Sequence, residues 1–195
     1  RRKHLAQEQH AQPTSTLAQH LKDPKVVVVQ VSRDSKAYDE GHIPGSRFLA
    51  VTDITTTKNG ILNELPLTAD LKAVFEKLGV SDDTRVVLVA DTSPVFPSRA
   101  FFTLDYLGHD QTAMLDGGLP RWKMESRPVE TAKPEVKMGR FTPHVRPEIV
   151  ASKDSVAAVA KSGSGLLLDA RPTALLLTRR TLVLYELGTS SWASS

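Results

Sequence analysis

VVLVADTSPVFPSRAFFTLDYLG, residues 86–108, is the stretch from which the rest of the chain is read. It begins as a β-branched run that ends at Asp91. A Ser- and Pro-rich loop follows. A helix is expected from near Pro97, because proline suits a first helical turn. Ala100, Phe101, Leu104 and Leu107 give that helix one apolar stripe, and Gly108 closes it. Strand, loop and helix in this order make one unit of an α/β sheet. The loop then sits at the carboxyl end of a strand, where such sheets bind their ligands.

The same alternation extends in both directions. Residues 14–23 predict a short helix, with Thr14 or Ser15 as cap, Leu17 and Leu21 on one face, and Pro24 as the stop. VVVVQV (26–31) is a continuous apolar run, as expected of a strand covered on both faces. SKAYDE predicts a helical turn closed by Gly41, and RFLA (47–50) a strand after the turn HIPG. Residues 51–67 read as loop. TADLKAVFEKLG is the clearest helix. Thr68 is its expected cap, Leu71, Val74, Phe75 and Leu78 its stripe, and Gly79 its left-handed stop. TAML (112–115) predicts a strand, and Asp116-Gly-Gly a tight turn into a helix bearing Trp122. The pattern specifies α/β architecture: an open parallel sheet with helices on both faces.

The composition sets limits on chemistry. With 195 residues the chain can bury one full core and part of another. It contains no cysteine, so disulfides, thiolate metal sites and cysteine nucleophiles are excluded within it. The net charge is +3, with Lys and Arg scattered rather than clustered. No nucleic-acid partner is expected on that basis. No apolar run approaches the roughly 18 residues of a membrane span, so no membrane partner is expected either. The opening RRKHLAQEQHAQP lacks the apolar core of a signal peptide. The compartment stays open between cytoplasmic and exported. The six histidines show no metal-ligand spacing with nearby carboxylates, and neither metal nor cofactor is expected.

PVETAKPEVKMGRFTPHVRP (128–147) carries four prolines and no stripe, and reads as a linker wrapping the surface. Beyond it Ser152 is expected to cap a helix to about Lys161, with Val156, Val159 and Ala160 facing in. GSG and a strand LLLDA (166–170) follow. That order repeats the start of the chain: capped helix, apolar strand, Arg-containing turn. A second copy of the domain is therefore expected to begin here. The domain organisation is an extension (1–13), a complete domain (14–130), a linker (131–150) and an incomplete second copy (151–195) that diverges after 172.

Five stretches in this order and spacing resemble the rhodanese (thiosulfate sulfurtransferase) family in its tandem-domain form. They are YDEGHIPGS (38–46), LGVSDDT (78–84) before the strand, Arg99 to His109, LDGGL (115–119) with Trp122, and RPV (127–129). LLLDARP (166–172) resembles the first strand of the family's second domain. The resemblance implies about five parallel strands per domain. It also implies a reaction: a cysteine takes sulfane sulfur from thiosulfate or mercaptopyruvate, holds it as a persulfide, and passes it to cyanide or a thiol. In tandem members that cysteine belongs to the second domain, and a ring of backbone N–H groups around it holds anions.

On this resemblance Asp91 occupies the nucleophile position of a non-catalytic first domain. Asp91, Thr92, Ser93, Ser98 and Arg99 are then a vestigial anion loop, and the chain has no catalytic residue of its own. Arg99 either holds an anion or pairs with a carboxylate inside the domain. His42 is expected to order its turn, and Asp169 and Arg171 to open the second copy without a catalytic role. The implied partner of the full-length enzyme is a small sulfur-containing anion. The apolar tail, residues 173–195, is expected to support self-association. The alternative function is a stand-alone rhodanese-like binding or regulatory module.

Overall fold

The computed structural model describes residues 10–168. One compact unit runs to Pro147 and a second starts at Glu148. The first contains β1 (Ala11–Gln12), α1 (Thr14–His20), β2 (Val26–Ser32), α2 (Lys36–Glu40), β3 (Arg47–Ala50), β4 (Thr56–Lys58), β5 (Ile61–Glu64), α3 (Thr68–Lys77), β6 (Arg85–Ala90), α4 (Val95–Tyr106), β7 (Thr112–Leu115) and α5 (Gly118–Met124).

Five strands form one sheet in the order β1-β7-β6-β2-β3, and every pairing in it is parallel. The continuous apolar runs have the expected cause, since β2 and β6 are buried on both faces. On one face Val27, Val29, Val31, Val86 and Leu88 pack against Leu71 and Phe75 of α3 and Ala100 and Leu104 of α4. On the other, Val28, Val87 and Val89 pack against Leu17 of α1 and Leu119 and Trp122 of α5. Side chains alternate between faces with period two, so each strand serves both cores. The α/β sheet with helices on both faces is as the pattern specified.

Several local expectations are corrected. The hydroxyl of Thr14 does not cap α1. Pro13 stands at the cap position, and the Thr14 hydroxyl donates to Glu125 Oε2 at 2.6 Å, tying α1 to α5. Leu67 rather than Thr68 occupies the cap position of α3. α4 starts at Val95, two residues before Pro97. Residues 51–67, read as loop, contain a 3-10 turn (Val51–Ile54) and the β4–β5 hairpin. Asn59 and Gly60 form the hairpin's two-residue turn, both at positive φ (52° and 76°), as a type I′ turn requires.

Residues 131–147, read as linker, lie within the first unit. Phe141 is buried in the α3–α4 core. The backbone around it is bonded to the domain: Gly139 N donates to Glu76 O at 2.8 Å, and His144 N to Leu107 O at 2.8 Å. Phe141 N donates to Glu76 Oε1 at 2.9 Å and Thr142 N to Asp82 Oδ1 at 2.7 Å. Arg146 bridges Asp105 and Asp110, at 2.7 and 2.5 Å. The segment is a strap. It has no periodic stripe because its order comes from acceptors on other elements rather than from its own neighbours.

In the second unit, α6 (Lys153–Ser162) is capped by Ser152, whose Oγ accepts from Ser155 N at 3.1 Å, as expected. Its expected inward face is corrected: no residue of α6 is buried, and Val156 is exposed. Leu166, Leu167 and Leu168 are exposed and form no strand. Asp169, Arg171 and residues 173–195 lie outside the described residues. No helix among the described residues is long and apolar enough to cross a membrane.

Candidate functional site

The register of the sheet places the candidate site. Val31 of β2 pairs with Ala90 of β6, so the next residues, Ser32 at the end of β2 and Asp91 just past β6, lie side by side. Ser32 Oγ donates to Asp91 Oδ2 at 2.6 Å. Thr92 donates to Asp91 Oδ1 twice, from its backbone N at 2.6 Å and from its hydroxyl at 3.3 Å. Burial alone would raise the Asp91 carboxyl. The bonds from Ser32 and Thr92 outweigh it and hold the group below the usual carboxylate range. Asp91 is therefore an anion at neutral pH, with both oxygens already accepting.

Most backbone donors of the loop are used or missing. Pro94 and Pro97 have no N–H to give. The N–H of Thr92 goes to Asp91, that of Val95 approaches Ser93 Oγ at 3.4 Å, and that of Ser98 goes to Pro94 O at 3.0 Å. An anion cradle needs several such groups converging on one point. Here they converge on the loop's own atoms around a fixed negative charge. The Ser98 hydroxyl lies 3.9 Å from Met114 Sδ, turned from Asp91's bonds.

Arg99 sits in the second turn of α4. Its guanidinium stacks near the Phe102 ring, 5.7 Å from the centroid. Nε and Nη2 are buried with no acceptor among the described residues. Burial lowers its pKa, and the charge of Glu64 on β5 works against that shift. The carboxylate pairing considered for Arg99 is not formed among the described residues: Glu64 acts on it at a distance, without an ion pair. The sequence reading missed Ser32, the direct partner of Asp91, and Phe96, over whose ring Arg33 lies at 5.7 Å. Only the strand register brings β2's end to this loop, and register has no local signal.

Two other motifs have structural explanations. His42 is fully buried, stacked on Tyr38 at 3.8 Å. Its Nδ1 is 2.8 Å from Tyr38 O and its Nε2 3.2 Å from Ala132 O, so it orders the turn as expected. Gly117 and Gly118 both have positive φ, and a Cβ at Gly118 would lie 2.6 Å from Ala90 O. The glycines allow the turn between β7 and α5 to pass against β6.

The family model described as "Rhodanese-like domain" matches residues 14–125, more than half of the chain. This chain belongs to the rhodanese-like domain family. Among curated rhodanese-family relatives, the sulfur carrier protein TtuD of Thermus thermophilus is 33% identical over 162 residues, covering 81% of this chain and 56% of TtuD. The 3-mercaptopyruvate sulfurtransferase of Escherichia coli is 25% identical over 167 residues, covering 81% of this chain and 59% of that enzyme. The chain thus spans little more than half the length of either. The crystal structure of SseA from Escherichia coli superposes with a TM-score of 0.77 at 24% identity, over 85% of this chain and 66% of SseA, which establishes the shared rhodanese fold.

Proposed function

We propose that this chain is the non-catalytic, first-domain type of rhodanese module. Its parent activity is transfer of sulfane sulfur from thiosulfate or mercaptopyruvate through a cysteine persulfide carried by a second domain. Asp91 carries the reading. It stands at the end of β6, the nucleophile position implied by the family resemblance, and Ser32 and Thr92 fix it as an anion. A carboxylate cannot form a persulfide, and it repels thiosulfate. The loop then has a structural role, as a closed cap on β2 and β6. The capped helix α6 supports a second copy opening after Pro147. On this reading the partner of the parent enzyme is a small sulfur-containing anion, and the chain alone is inactive.

The test is thiocyanate formation from thiosulfate and cyanide. The purified chain is expected to show no turnover above the uncatalysed rate. Turnover that survives iodoacetamide would sink the proposal.

The second reading is a stand-alone binding module. It is favoured by the exposed Val95 at the loop and Ile61 and Leu62 on the hairpin. A dimer, or a bound partner, lost on removal of residues 173–195 would support it.

A further inference from the structure

The tip of the β4–β5 hairpin is made of Asn59 and Gly60, both exposed. Among the described residues, neither the Asn59 side-chain amide nor the Gly60 N–H has a hydrogen-bond partner. A Cβ at Gly60 would meet nothing within 4 Å, so the peptide between them is also open in space. An asparagine amide carbon and the next backbone nitrogen are an electrophile and a nucleophile on one tether, which makes their reaction intramolecular. Glycine puts no side chain in the way of that approach and leaves the backbone freest to make it.

Two other places carry the same pairing of groups, and the structure closes both. Asn63 is the chain's other asparagine. It precedes Glu64, which bears a side chain beside its nitrogen and pairs with Thr56 in the hairpin. Asp116 precedes Gly117, but its carboxylate is paired with Arg121. The Arg121 side chain also lies over Gly117, where a Cβ would stand 2.5 Å from Arg121 Cβ. An ion-paired carboxylate under a covered peptide resists attack by nitrogen.

We propose that Asn59 is a site of spontaneous deamidation in the folded protein. The Gly60 nitrogen attacks Asn59 Cγ and gives up its proton. The Cγ–Nδ2 bond breaks, and ammonia leaves with that proton from a five-membered succinimide. Water then opens the ring. Cleavage at Cγ gives aspartate, and cleavage at the main-chain carbonyl gives isoaspartate. No oxidant or reductant takes part, and each product carries one more negative charge than the parent. Aspartate keeps the hairpin, because Asp-Gly suits a type I′ turn as Asn-Gly does. Isoaspartate adds a methylene to the main chain, so the two-residue turn no longer closes and the pairing of Lys58 with Ile61 is lost. The site is independent of the loop at Asp91 and of the sulfur chemistry proposed above.

The test incubates the full chain at mildly alkaline pH, folded and in guanidinium chloride. Peptide mass spectrometry then follows each amide, and an isoaspartyl methyltransferase marks isoaspartate. Folded Asn59 should lose its amide at a rate within about tenfold of the unfolded rate. Asn63 should keep its amide in the folded chain, and isoaspartate at Asp116 should form only in denaturant. Asn59→Asp should abolish ammonia release from the folded chain while leaving the melting temperature unchanged. The proposal is overturned if folding slows the loss at Asn59 by more than about tenfold. It is equally overturned if Asp116 isomerises as fast folded as unfolded, or if folded Asn59→Asp releases ammonia as the parent chain does.

Discussion

At Asp91 the difference between a reactive loop and an inert one comes down to backbone donors. A thiol at the end of a strand becomes nucleophilic when amides and cations favour its ionised form. This loop has two prolines, and its Ser98 amide is already bonded to Pro94 O, so the Thr92 amide that Asp91 now holds would be a lone donor to a thiolate in its place. Putting sulfur back should therefore not restore chemistry. Asp91→Cys is expected to give no thiocyanate. Its thiol should be alkylated by iodoacetamide with a midpoint at or above about pH 8.5, the ordinary value for a free cysteine. An alkylation midpoint well below neutrality would show that the loop still activates a thiolate. Asp91 itself was legible in the sequence, because a β-branched run ends on it. Ser32 was not, since its place beside Asp91 depends on how two strands 59 residues apart align.

Helices α1 and α5 cover one face of the sheet and meet at a single carboxylate. Glu125 accepts from the Thr14 hydroxyl, from Arg127 Nε at 2.6 Å and from Arg121 Nε at 3.1 Å. These bonds hold its carboxyl at about 2, against an ordinary 4.5. The folded state thus binds this proton less readily than the unfolded state. The stabilisation is complete above the unfolded value of 4.5 and is lost as the pH falls through about 2. Glu125→Gln should flatten the pH dependence of urea unfolding between those limits. If the variant keeps the parent's acid slope, the Glu125 cluster does not join the helices. Elements with period or cap, such as α3 and α6, could be read from the sequence. The β4–β5 hairpin was missed although Asn59-Gly60 is a strong turn signal, because its two exposed threonines and short arms hide the alternation. β1 is only two residues long and exists because β7 offers it an edge.

For the molecule as a whole, the strap decides where the first unit ends. Sequence reasoning placed the end near residue 130, from prolines and missing periodicity. Physically it lies at Pro147, because Phe141 fills the α3–α4 core and Gly139 passes against Val80 so closely that a Cβ there would overlap the Val80 carbonyl. A chain ending at Pro134 should melt lower than one ending at Pro147, by about 10 °C or more, since removing a buried Phe costs about 3–5 kcal/mol. Equal melting temperatures would mean that the strap merely lies along the surface. The strand order β1-β7-β6-β2-β3 also bears on synthesis. Within this sheet the strand earliest in the chain, β1, pairs with the latest, β7, so β1 waits for Thr112–Leu115 to emerge. Until then β6 presents an unpaired edge of Val86, Val87 and Leu88, the residues that later align with β7. An unpaired apolar strand edge is a template for joining another chain. A nascent chain paused between residues 90 and 112 is thus the stage at which this protein most needs a chaperone.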